Sequence, residues 1–175
     1  MTLQLISLAA LLQTFGALIG AGMTTFAEIF YIEAAADGKI DHHERKYLRR
    51  MYNSLRFGMS VVVISGIALI VLEYLVPDAP QDVLVAPFWA LETLILIVVL
   101  LGRSISEKVS EWWVASSAVL AGWWMILFID LGFANSFGYI QILVLYMFLT
   151  FLFASLFGYA RVFVREHIGK KFSTK

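Results

Sequence analysis

An all-α polytopic membrane protein is the fold class this sequence predicts: a bundle of five transmembrane helices, with a cytoplasmic amphipathic helix between the first two. Three observations predict it. The 175 residues are 61% hydrophobic and 15% charged, against about 45–50% and about 25% in a soluble domain. Mean hydropathy is +0.82, and a water-soluble chain this short could not bury so much apolar surface. Five apolar runs each approach or exceed the roughly 20 residues that cross about 30 Å of hydrocarbon. Almost all of the charge lies in the gaps between them.

In order, the spans are residues 3–32, 57–76, 83–101, 112–133 and 137–164, within one integral membrane domain, 1–175. Each must be helical, because a span in lipid has to satisfy its own backbone groups. The first run lacks a basic leader and a small-residue cleavage site, so it reads as a retained span rather than a signal peptide. Pro77 and Asp78 end the second, and Pro87 lies near the start of the third. Trp112, Trp113, Tyr74 and Trp89 fall near span ends, where amphipathic rings prefer the interface. Trp123 and Trp124 lie deeper and are expected to pack between helices.

The basic residues alternate between gaps. Loop 33–56 carries Lys39, Arg45, Lys46, Arg49, Arg50 and Arg56, and the third gap carries Arg103 and Lys108. The C-terminal segment carries Arg165, Lys170, Lys171 and Lys175, whereas the gaps around 78–82 and 132–136 carry no Lys or Arg. The positive-inside rule then places the N-terminus outside and the C-terminus in the cytoplasm of a cell (inner) membrane.

Within loop 33–56, Asp37-Gly38-x-Ile40-Asp41-x-x-Glu44 resembles the second half of an EF-hand loop. The first half departs from that pattern, with Ala35 where an oxygen ligand is wanted. Gly38 ending one helix, and Asp41 with Glu44 capping the next, account for the same residues. A divalent site on Asp37, Asp41 and Glu44 stays as the alternative. From Asp41 to Arg56, Tyr47, Leu48, Met51, Tyr52 and Leu55 recur at helical spacing, with basic residues between them. Such a helix can lie on the membrane, with Arg45, Lys46, Arg49 and Arg50 meeting anionic lipid or a partner. It can also extend the second span.

Ionisable groups at membrane depth are costly. Glu73 and Asp130 lie near the outer ends of spans two and four; Glu28 and Arg161 lie near the inner ends of spans one and five. Glu92 sits roughly 12 Å into span three at 1.5 Å per residue, with no basic residue at similar depth. On span one, Gln13, Ala17, Gly20, Thr24 and Glu28 form one stripe. Gly16 and Gly20 make a Gly-x-x-x-Gly pair that lets backbones approach. Small and hydroxyl residues of this kind are ordinary packing material between membrane helices. They also suit a hydrated route for an ion or proton from Glu73 and Asp130 through Glu92 toward Glu28, past Gln13 and Thr24.

There is no cysteine, which removes disulfides, thiolate metal sites and cysteine nucleophiles. No phosphate-binding loop, dinucleotide fingerprint or nucleophile–base pair is present, so no enzymatic activity, cofactor or nucleic-acid partner is expected. The stretch PFWALETLILIVVLLGRSIS onward to Trp112-Trp113 is similar to bacterial copper-resistance proteins of the D type, whose working histidines are missing here. The expectation is a small ion or proton channel or transporter-like protein, as a homo-oligomer whose route forms between protomers. The alternative is a non-transporting subunit or sensor that binds lipid, a partner protein or a divalent ion through the basic loop.

Overall fold

A computed structural model describes residues 2–34, 42–76, 84–107 and 112–167. They form five helices: α1 (Thr2–Ala34), α2 (His42–Leu75), α3 (Ala86–Glu107), α4 (Trp112–Asp130) and α5 (Tyr139–His167). Leu3–Glu33, Lys46–Leu75 and Tyr139–Val164 are long and apolar enough to cross a membrane. The apolar parts of α3 and α4, Ala86–Gly102 and Val114–Asp130, are no longer than 17 residues. Leu11, Ile64, Phe148 and Phe151 each expose more than 60% of their surface. Helices that turn large apolar side chains outward as well as inward belong in lipid, so the chain associates with a membrane.

Two features depart from the sequence reading. The amphipathic segment is no separate helix, because α2 runs unbroken from the basic stretch into the second span. Nothing between His42 and Leu75 breaks it, since no proline intervenes. Tyr47 rests against Phe30 of α1, with ring centroids 6.0 Å apart, so the basic half of α2 continues along α1. The second departure is the end of α4 at Asp130, where Leu131–Phe133 enter a turn instead of extending the span. Gly132 adopts φ +80° there. Its N–H reaches Ile129 O at 2.8 Å, and the Phe133 N–H reaches Phe128 O at 3.2 Å. Those two bonds are the Schellman pair that closes a helix on a left-handed glycine. Gln141 Oε1 then accepts from the Gly138 N–H at 2.8 Å, which caps α5.

α1 packs closely on α2 where two glycines remove side chains. A Cβ on Gly16 would come 2.9 Å from Gly58 O and 2.8 Å from Val62 Cγ2. α4 is the central helix and packs on α1, α3 and α5, while α2 touches α3 only sparsely. Trp123, Met125 and Ile126 of α4 are fully buried, with Leu94 and Val98 of α3 and Ile142 of α5 in the same apolar cluster. The bundle has two chemically different ends. Glu73 and Asp130 lie toward one, the acidic end; Lys46, Arg50 and Arg161 lie toward the other, the basic end.

Candidate functional site

The α1–α4 seam organises the polar interior. The six-membered ring of Trp123 occupies the space that a Cβ on Gly20 would need. α1 and α4 run antiparallel, so counting toward the acidic end goes backward on α1 and forward on α4. Seven residues from Gly20 lies Gln13, and seven from Trp123 lies Asp130. Two helical turns bring both back to the same faces, about 10 Å from the tryptophan at 1.5 Å per residue. The antiparallel register of Gly16 against Val62 places Ser65 of α2 at this level too.

Glu92 reaches the same level from α3. Its Oε1 lies 2.7 Å from the position a Cβ on Gly66 would take, so the absence of a side chain at Gly66 makes room for the carboxylate. Gln13 Oε1, Glu92 Oε1 and Asp130 Oδ2 are each buried without a hydrogen-bond partner among the described residues. Gln13 is 2% exposed. Ser65 cannot help, because its hydroxyl donates within its own helix, to Val61 O at 2.7 Å and Val62 O at 3.0 Å. Three acceptor oxygens from three helices therefore share one level, and buried polar atoms without partners are uncommon and costly. Beside them, the Thr93 and Tyr139 hydroxyls are 3.0 Å apart and tie α3 to α5.

Trp123 separates this cluster from a second polar region at the basic end. There Arg161 of α5 donates to Glu28 of α1 at 2.9 Å and stands over the Tyr31 ring, 5.1 Å from its centroid. Glu28 is thus held in an ion pair at this end. Thr24, 5% exposed, donates back to Gly20 O at 2.8 Å. Glu28, Thr24 and Trp123 help line a cavity of about 470 Å³.

The remaining sequence-stated residues scatter. Glu73 is buried at 3% exposure, roughly 10 Å beyond Gly66 toward the acidic end at helical rise. Gly16 and Gly20 face different neighbours: α2 for the first and α4 for the second. Arg45, Lys46, Arg49 and Arg50 ride on the α2 extension, where Arg50 stands over the Tyr47 ring at 5.9 Å. Of the candidate metal ligands, Asp37 and Asp41 lie outside the described residues, and Glu44 sits in the first turn of α2. No group of three His, Cys, Asp or Glu side chains suited to a metal occurs among the described residues.

The sequence places Arg161 and Trp123 at depth but pairs neither with a neighbour. Arg161 completes Glu28, the two being opposite charges near the same end of the bundle. Trp123 is 1% exposed, whereas the adjacent Trp124 is 43% exposed and donates its indole N–H to Thr25 Oγ1 at 3.1 Å.

No protein-family model, curated protein or solved structure matches the chain.

Proposed function

We propose that the chain crosses the membrane five times and passes protons or small cations through the interior enclosed by α1–α4. At full length α3 and α4, 22 and 19 residues, rise about 33 and 28 Å, which matches a hydrocarbon core of about 30 Å. The basic end faces the cytoplasm, following the Lys/Arg bias of the loops. One observation carries the reading: the unpartnered oxygens of Gln13, Glu92 and Asp130 at a single level within the bundle. Carboxylate oxygens left there without donors are relieved by taking up a proton or a cation, which is what a relay or selectivity site requires. Trp123 stands next along the line, followed by the basic-end cavity, so the route is interrupted by one side chain. The cluster is built by one chain, so this route needs no second copy.

The test is flux in liposomes with the purified protein. Proton and monovalent-cation movement is followed under an imposed gradient, with Glu92→Gln and Asp130→Asn alongside. Glutamine and asparagine keep the shape of the acids and remove the exchangeable charge. Wild-type flux is expected to fall at least tenfold in Glu92→Gln and clearly in Asp130→Asn. Equal flux in all three proteins, or none above empty liposomes, overturns the reading.

A further inference from the structure

The level shared by Gln13, Glu92 and Asp130 also says which ion suits it. Each of the three presents a buried oxygen without a hydrogen-bond partner among the described residues, and Gln13 is 2% exposed. A metal cation in a membrane needs a shell of oxygens. Calcium takes roughly six to eight of them and magnesium a near-ideal octahedron, while sodium and potassium sites draw on carbonyls of unwound backbone. Such backbone is lacking at this level. α1, α2 and α3 run unbroken through it, so their carbonyls are bonded within each helix. At the end of α4, Leu127 O, Phe128 O and Ile129 O accept from the N–H groups of Leu131, Phe133 and Gly132. No group of three His, Cys, Asp or Glu side chains suited to a metal occurs among the described residues. Space is short as well. Glu92 Oε1 lies 2.7 Å from the position of a Cβ on Gly66, so the carboxylate rests on the α2 backbone with no room for an ion between them.

Charge points the same way. No Lys or Arg occurs in α1, in α4, or in residues 57–75, 86–102 and 139–160 of the other helices, so no span carries a basic side chain at this level. The titratable groups that α2, α4 and α5 bring toward Glu92 are Glu73, Asp130 and Tyr139, whose hydroxyl is 3.0 Å from Thr93 Oγ1; none supplies a positive charge. An ionised carboxylate at depth without a cation is costly. A proton removes that charge and also changes the hydrogen-bond count, because an ionised carboxylate only accepts whereas a protonated one carries an O–H donor. One proton therefore gives the three acceptors a donor, with no shell and almost no added volume. Glu92 stands nearly two turns inside α3, whereas Asp130 is the last residue of α4, so Glu92 is the acid farther from a helix end. We propose that the ion held at this level is a proton and not a metal cation, and that the Glu92 carboxyl holds it. The inference rests on the transport reading and names its ion.

Dicyclohexylcarbodiimide tests the occupant directly. This apolar reagent adds to a protonated carboxyl within the bilayer and leaves a stable acylurea, and a metal cation bound to the carboxylate blocks the addition. Glu92 is partly exposed, which lets the reagent reach it. Protein in liposomes is treated at fixed pH, with and without sodium, potassium, magnesium or calcium, and the adduct is located by peptide mass mapping. Glu92 is expected to be labelled, at a rate that the four cations change by less than twofold. Glu92→Gln should lose that adduct, and Glu92→Asp should keep one at the same position. Labelled wild type should lose proton flux at least tenfold, and neither form should carry sodium or potassium above empty liposomes. Tenfold slowing of the labelling by any of the cations, folded protein without an adduct on Glu92, or cation flux that Glu92→Gln abolishes overturns the proton assignment and leaves the transport reading standing. Absence of all flux, with Glu92 labelled regardless of the cations, keeps the proton site and removes only the transport reading.

Discussion

Gly20→Ala should destabilise the protein sharply for so small a change, by about 1–3 kcal/mol, the usual cost of forcing extra volume into a packed core. The added Cβ falls on the six-membered ring of Trp123, and a ring that is 1% exposed has little space into which to swing. The helices must part or the indole must leave its rotamer. Gly22 supplies the control on the same helix, since a Cβ there meets nothing within 4 Å, and Gly22→Ala should be close to neutral. Trp123→Leu combined with Gly20→Ala removes the colliding ring and should recover part of the loss, whereas Trp123→Phe combined with it should recover little. Reversible unfolding in mixed micelles measures all five proteins. A Gly20→Ala variant as stable as wild type would show that the α1–α4 contact is not set by Trp123.

The same contact explains which parts of the architecture can be read from the chain. Span positions are a property of single helices, so hydropathy reaches them: residues 3–32 and 137–164 coincide with α1 and α5 to within three residues. The stripe Gln13, Ala17, Gly20, Thr24 and Glu28 is also a single-helix property, and all five are buried. What a stripe faces is a property of pairs. Gly16 and Gly20 look like one packing motif in sequence, yet they serve different neighbours, because α1 sits in the angle between α2 and α4. Glu92 stands out by depth alone, but its company of Gln13 and Asp130 depends on the register of α4 against α1. Nothing local encodes that register; it follows from Trp123 seating on Gly20. Trp123 and Trp124 are adjacent and chemically identical, so composition cannot say which becomes buried. Only the helix rotation chosen by the surrounding small residues, Ala121 and Gly122, separates them.

The ion pair at the basic end is expected to show a strongly asymmetric response to mutation. Arg161→Ala leaves Glu28, whose side chain is 7% exposed, as an acid without its cation. Removing one partner of a buried pair costs about 3–5 kcal/mol, and the lower figure applies here because the Arg161 side chain keeps 20% exposure and lies near a helix end. Glu28→Gln leaves the arginine instead. Its long stem can carry the guanidinium toward the head groups, and its stacking on Tyr31 survives, so the loss should be about 1 kcal/mol, as for a partly exposed pair. The double variant Glu28→Gln, Arg161→Ala contains no stranded acid and should be more stable than Arg161→Ala alone. That ordering, with the double variant between the two singles, distinguishes a paired charge from two residues that merely pack. Additive losses across the cycle would mean that α1 and α5 are held together by their apolar faces alone. In that case Glu28 would count as a free carboxylate at the basic end of the bundle.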